Sequence, residues 1–269
     1  GFLAAYYFYW PSRFSLSSAI LLQAGVAALT LSLLVGLKYR VAAALPSMEP
    51  NQSQRNVWRN AALALVATQA LFELHAQVDK LMIGALSGTD QLSFYSGAQR
   101  WAGLLGFLMI TVNLVLGPVF SELLAMEDKR GAERLARRSV LAVFCLGLSA
   151  AVIYWLWGDT LLRLFGAEFV AGERALRLLT AGQLLNLAAG SVGLLLIMAN
   201  RERFVTMAVG ASTVLNVLLN LVLVQRFGAT GAAVATSVSM VFWNLILLWA
   251  VRRILGINPS ILGGALCRA

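Results

Sequence analysis

The chain has 269 residues, 59% of them hydrophobic and only 12% charged, with a formal net charge of +9 and a mean hydropathy of +0.78. Soluble domains run at about 45–50% apolar and about 25% charged residues, so this composition excludes a soluble globular protein and points to an integral membrane protein. The positive charge does not signal nucleic acid, because the Lys and Arg residues sit in short segments flanking apolar runs, as the positive-inside rule expects.

The first stretch, FLAAYYFYW, follows Gly1 without an initiating Met or a charged leader. It reads as the end of an earlier helix, so the N-terminal part of a longer protein is expected to be missing. The first full span is expected over 16–37, ended by Lys38 and Arg40. A polar linker follows over 38–59, with Pro46, Pro50, Asn51, Arg55 and Arg59. The second span, 60–87, is long enough for a hydrocarbon core of about 30 Å. The third covers 92–120 and closes at Gly117–Pro118. A charged segment of mixed sign, SELLAMEDKRGAERLARR, is expected to be helical and solvated. The fourth span (139–157) ends in an aromatic belt of Tyr154, Trp155 and Trp157. A short amphipathic stretch leads to the fifth (176–198), sixth (204–224) and seventh (229–251) spans.

Basic residues alternate between the loops. They concentrate after spans one, three, five and seven, which puts the linker, the helical loop and the C-terminus in the cytoplasm. Cys145 and Cys267 form neither a metal spacing nor a disulfide framework. No GxSxG, HExxH or Gly-rich phosphate loop is present, so a non-enzyme without a bound cofactor is expected.

The second span carries chemistry at membrane depth, where a charge costs about 2.5–3.5 kcal/mol on insertion scales. At 100° per residue, Gln69, Glu73, Gln77 and Lys80 share one face. His75 and Asp79 form an i,i+4 pair on a flanking face. Such groups make a proton or cation site, a wall of a ligand cavity, or pairs that lock helix packing. The functional reading leads for Glu73 and Asp79; for His75 an interhelical donor is the stronger reading. Lys80 lies nearer the outer end and can snorkel. Elsewhere the intramembrane polar groups are neutral: Asn113 in span three, Gln183 and Asn186 in span five, and Asn216 and Asn220, one turn apart, in span six. Amides beside small residues suit helix–helix hydrogen bonding, and that structural reading leads for the amides of spans five and six. Arg100, at the outer entry of span three, meets an anionic headgroup or anchors its helix.

The segment VDKLMIGALSGTDQLSFYSGAQR (78–100) resembles the start of the C-terminal lobe of polysaccharide flippases, including Wzx-type O-antigen flippases, within the multidrug/oligosaccharidyl-lipid/polysaccharide exporter superfamily. The matching positions are Asp79, Gly84, Gly88, Tyr95, Ala98 and Arg100. Pro118, Leu164-Phe165-Gly166, Asn216-Val-Leu-Leu-Asn220 and the run FGATGAAVAT (227–236) extend the resemblance over about residues 60–255.

The resemblance implies an all-α, polytopic, MATE-like fold of two six-helix lobes. Residues 1–37 would end the N-terminal lobe, 38–59 would be the inter-lobe linker, 60–258 the C-terminal lobe and 259–269 a tail. The implied activity is alternating-access flipping of an undecaprenyl-diphosphate-linked O-antigen or exopolysaccharide unit in a bacterial inner membrane. The implied partners are the bilayer, that lipid-linked oligosaccharide and the missing N-terminal lobe. Glu73 or Asp79 would couple a proton or sodium ion, and Arg100, Asn216 and Asn220 would touch the cavity. The rival readings are a multidrug cation antiporter of the same fold, a membrane enzyme of polysaccharide assembly and a non-transporting scaffold.

Overall fold

The computed structural model describes residues 16–44 and 52–259, and all regular structure among them is helical. The helices are α1 (Leu16–Ala44), α2 (Gln52–Leu86), α3 (Gly88–Ala125), α4 (Lys129–Arg163), α5 (Glu173–Ala189), α6 (Val192–Met198) and α7 (Glu202–Ile254), with a 3-10 turn at Ala167–Gly172. The opening aromatic stretch, residues 45–51 of the expected linker, and the tail except Pro259 lie outside the described residues.

The chain divides into two units, Gly1–Ala62 and Leu63–Ala269. The first holds α1, whose Leu29, Leu31 and Leu33 are exposed. Two of its hydroxyls bond locally: Thr30 donates to the Val26 carbonyl and Ser32 to the Ala28 carbonyl, each at 2.8 Å. That local bond suits a side chain with no water to turn to. The expected linker is helical at both ends. α1 continues through Lys38 and Arg40, and α2 begins at Gln52. Neither extension contains a Gly or Pro to stop it.

In the second unit the helices pack around α5, which touches α3, α4 and α7. Among the described residues, α3, α4 and α7 are long and apolar enough to cross a bilayer, and the α5–α6 pair makes a fourth span if taken as one. α2 is not one of these; Glu73, His75, Gln77, Asp79 and Lys80 make it polar. Pro118 lies inside α3 and does not end it; the helix runs on to Ala125. A missing N–H is tolerated in a membrane helix where neighbours re-satisfy the freed carbonyl.

Two breaks shape the unit. The expected fifth span is interrupted at Gly190 (φ 79°, ψ −160°), and its two parts are bent by 42°. The expected sixth and seventh spans form the single α7 of 53 residues. At 1.5 Å per residue that is about 80 Å, more than twice a hydrocarbon core. Gly228 (φ 54°, ψ −131°) divides it into a first arm (202–227) and a second arm (229–254).

The buried apolar residues fall into two clusters toward opposite ends of the unit. One gathers Tyr95, Leu105, Leu162, Leu176 and Leu187; the other gathers Phe120, Ala136, Leu195, Val209 and Ala250. Leu114 and Val115 of α3 are 75% and 70% exposed, a liability in water but ordinary solvation against acyl chains. Close packing relies on small residues, as it does between membrane helices generally. A Cβ on Gly182 of α5 would sit 2.6 Å from the Ser237 hydroxyl of α7.

Gly228→Ala should destabilise the unit by about 1–3 kcal/mol, because an L-residue is strained in that backbone conformation and its methyl would meet the Gln91 side-chain oxygen. Gly103→Ala, with nothing within 4 Å of the added carbon, should be neutral. Thermal unfolding in detergent compares the two; equal midpoints would remove Gly228 as a required hinge.

Candidate functional site

The site is built around Asp79, which is 2% exposed. Its carboxylate accepts three hydrogen bonds. Tyr95 Oη (3.0 Å) and Thr236 Oγ1 (2.7 Å) donate to Oδ2, and Asn220 Nδ2 (2.8 Å) donates to Oδ1. Asn220 Nδ2 also reaches the backbone and side-chain oxygens of Asn216, at 3.0 and 2.9 Å. Each group comes from a different segment: Asp79 from α2, Tyr95 from α3, the asparagines from the first arm of α7 and Thr236 from the second. One carboxylate therefore ties four segments together.

The arrangement has a surplus. All the donors to Asp79 are neutral, and among the described residues no Lys, Arg or His nitrogen forms a salt bridge with it. Asn216 Nδ2 and Asn220 Oδ1 are buried with no hydrogen-bond partner. Each such orphan costs about 1–3 kcal/mol. The amide of Asn220 cannot relieve this by flipping, since that would turn its oxygen toward the carboxylate. The site thus holds an acid without an ion-pair partner among the described residues, unspent hydrogen-bonding capacity and oxygen atoms from Asp79, Asn216, Asn220 and Thr236. Hard-cation chemistry asks for oxygen donors of this kind, and a proton needs only the carboxylate.

The other polar residues expected from the sequence disperse. His75 and Asp79 hydrogen-bond to different partners. His75 Nδ1 lies 2.9 Å from Thr213 Oγ1, and its ring stacks on Trp243 with centroids 5.3 Å apart. Thr213 gives its own proton to the Val209 carbonyl (2.8 Å), so Nδ1 is the donor in this contact. This is the interhelical role.

Glu73 is exposed and accepts from Gln77 Nε2 at 2.9 Å, while Lys80 Nζ donates to Gln77 Oε1 at 3.1 Å. Together they make a polar ladder along one open face of α2. Asn113 Oδ1 accepts from Ser191 Oγ (2.6 Å) beside the Gly190 break. Gln183, Asn186 and Asn244 form an amide relay of 3.3 and 2.9 Å between α5 and the second arm of α7. Arg100 is exposed, with its guanidinium 5.7 Å from the centroid of Phe165, a cation–π anchor placed away from Asp79.

Tyr95 and Thr236 complete the site, although sequence reasoning does not single them out as ligands. The signal for them is a demand: a carboxylate at membrane depth must find donors on other spans, and both residues lie inside the motifs that carry the family resemblance.

This geometry defines an all-α, polytopic membrane protein with a buried carboxylate where four helical segments meet. A profile of the MatE family matches residues 64–222, so the chain belongs to the MatE family, a family of transporters and flippases rather than enzymes. The matched range includes Asp79, Tyr95, Asn216 and Asn220. The chain is similar to the probable low-salt glycan biosynthesis flippase Agl15 of Haloferax volcanii, at 25% identity over 166 residues, covering 61% of this chain and 35% of that protein. It therefore spans about a third of that relative's length. Among solved structures it is similar to a MOP superfamily transporter from Pyrococcus furiosus, described as having a binding pocket of reversed polarity that suggests a different function. The TM-score is 0.57 with 20% identity, covering 74% of this chain and 45% of that one. That likeness concerns the fold.

Tyr95→Phe should lower stability by about 1–3 kcal/mol, because it removes a donor from a buried carboxylate. Glu73→Gln, on the open face, should change it by less than about 0.5 kcal/mol. Thermal unfolding of the two variants checks the ranking, and an equal loss in both would contradict the burial contrast.

Proposed function

We propose that this chain forms one lobe of a transporter that flips a lipid-linked oligosaccharide by alternating access, coupled to a proton or sodium ion at Asp79. The carrying observation is the buried Asp79, held by neutral donors from four segments without a counter-charge among the described residues. An isolated buried charge costs several kcal/mol. A cation bound beside the carboxylate would offset that cost. The residues fit such an ion: Asp79 supplies the charge, and Asn216, Asn220 and Thr236 supply neutral oxygens. An ion that binds one arrangement of the four segments better than another shifts the equilibrium between them, which is what coupling requires.

The lipid-linked substrate is supported by the similarity to a glycan biosynthesis flippase and by the motif over 78–100. An undecaprenyl-diphosphate-linked O-antigen or exopolysaccharide unit fits this reading, in a bacterial inner membrane with the C-terminus in the cytoplasm, as the loop charges suggest. The Glu73–Gln77–Lys80 ladder is the polar face that this reading assigns to the substrate. Its mixed charge suits a polar saccharide better than a wholly cationic drug.

The test uses the complete gene that encodes this chain, expressed in a flippase-null strain. The intact protein should restore surface polysaccharide. Asp79→Asn should reduce it at least tenfold at equal expression, and Glu73→Gln should retain more than half. Full rescue by Asp79→Asn would remove the coupling role. Cation-driven dye efflux by the intact protein, without polysaccharide rescue, would replace flipping with drug antiport.

A further inference from the structure

A second polar feature lies at the Gly228 break, at the end of the lobe that also holds the 164–172 turn. It is a cavity of about 540 Å³ lined by Ser87, Gln91, Arg174, Arg226, Gly228 and Thr230, among others. Asp79 does not line it, and neither does any carboxylate among the described residues.

Arginines are sparse at this end of the chain, and most have an evident use. Arg163 pairs with Asp159 at 3.8 Å and Arg177 pairs with Glu173 at 2.5 Å. Arg100 lies over Phe165. Arg174 and Arg226 remain. Both are exposed, neither forms a salt bridge among the described residues, and both line this cavity.

The field in the cavity is set by these two side chains. The C-terminal end of one α7 arm and the N-terminal end of the other meet at Gly228, so their dipoles oppose each other. The backbone is already spoken for: the Ala229 N–H donates to Gln91 Oε1 (3.0 Å), and the Val224 carbonyl accepts from Ser87 Oγ (2.9 Å). Gln91 Oε1 is used by that bond, which leaves the Gln91 amide hydrogens to donate. The Thr230 hydroxyl is a further neutral donor on the wall. The cavity therefore offers two guanidinium groups and neutral donors from Gln91 and Thr230. That is a complement for a tetrahedral oxyanion, which Arg binds in a bidentate manner. The volume exceeds that of one phosphate and leaves room for the group it is attached to.

We propose that this cavity binds a phosphate group, a site separate from the ion centre at Asp79, with Arg174 and Arg226 as its charged ligands. The phosphate can belong to a membrane-lipid headgroup or to a free phosphate compound. The site does not depend on which molecule the lobe transports.

The experiment uses purified protein from the complete gene in dodecyl maltoside, titrated calorimetrically with dioctanoyl phosphatidic acid and with inorganic pyrophosphate. Dioctanoyl phosphatidylcholine, whose phosphate is masked by choline, is the control. At least one of the two phosphate probes should bind saturably. Its Kd should rise at least tenfold in R174Q/R226Q and less than threefold in R174K/R226K. The single variants R174Q and R226Q should each weaken binding about three- to fivefold, which keeps the test decisive should the double variant fold poorly. Binding of phosphatidic acid alone assigns a lipid headgroup; binding of pyrophosphate, with or without the lipid, assigns the phosphate group itself. Absence of saturable binding by both probes, or wild-type affinity in the Gln variants, would overturn the site.

Discussion

Asp79 has to be compensated wherever it is placed, and in this lobe it is placed where water cannot do it. Several kcal/mol of lost solvation must be offset by donors, and the helix that carries Asp79 cannot supply them, since its own N–H groups are used in the helical ladder. They come from α3 and from both arms of α7. The position of α2 against α3 and α7 is therefore set by polar geometry as much as by packing. In a bilayer this is expected: lipid tails are as apolar as Leu side chains, so apolar contact gives helices little reason to choose one neighbour over another. The exposed Leu and Val of α3 illustrate the point, because they are solvated whichever way the helix turns.

The same logic accounts for the two breaks. Interrupting a helix in hydrocarbon frees carbonyls and N–H groups that must be re-satisfied, and each break has polar side chains beside it. At Gly190 the backbone satisfies itself, its N–H donating to the Asn186 and Leu187 carbonyls and its carbonyl accepting from Val192 N–H, while the Ser191–Asn113 and Asn244–Asn186 bonds join side chains nearby. At Gly228, Gln91 takes the Ala229 N–H and Ser87 takes the Val224 carbonyl. The neutral amides and hydroxyls scattered through the spans are thus repairs to the backbone in some places and ligands of Asp79 in others. Their chemistry alone does not say which.

That ambiguity marks the limit of what is legible in the sequence. The all-helical membrane fold, the polar face of α2 and equal weight on Glu73 and Asp79 follow from composition, periodicity and the cost of a buried charge; that Asp79 is buried and Glu73 exposed comes from the fold. The i,i+4 spacing of His75 and Asp79 suggests a pair, but spacing fixes only that two residues share a face. The stacking of His75 on Trp243 depends on a residue 168 positions away in the sequence. The link between Asn216 and Asn220 stays within one turn of one helix; the contact that joins helices, to Asp79, connects residues 141 positions apart. The Gly190 break is hidden because one Gly in a run of small residues more often allows close helix contact than a turn. The helices run into both ends of the expected linker for a simpler reason: residues such as Lys, Arg and Gln extend a helix readily.

The Gly228 break gives the Asp79 centre its mechanical consequence. Asn220 lies before the break and Thr236 after it, and both hold the same carboxylate. Whatever alters the hydrogen bonding of Asp79 therefore acts on both arms at once. Elsewhere in α7 such a pull would act on continuous helical hydrogen bonding. At Gly228 it meets a point where that bonding is already interrupted and the remaining backbone groups are held by side chains of α2–α3. The cost of changing the angle between the arms falls on those few side-chain bonds. The coupling proposed here would need no long relay: the carboxylate, its hydrogen-bond partners and the Gly228 break lie within the two arms of one helix and the two helices beside it.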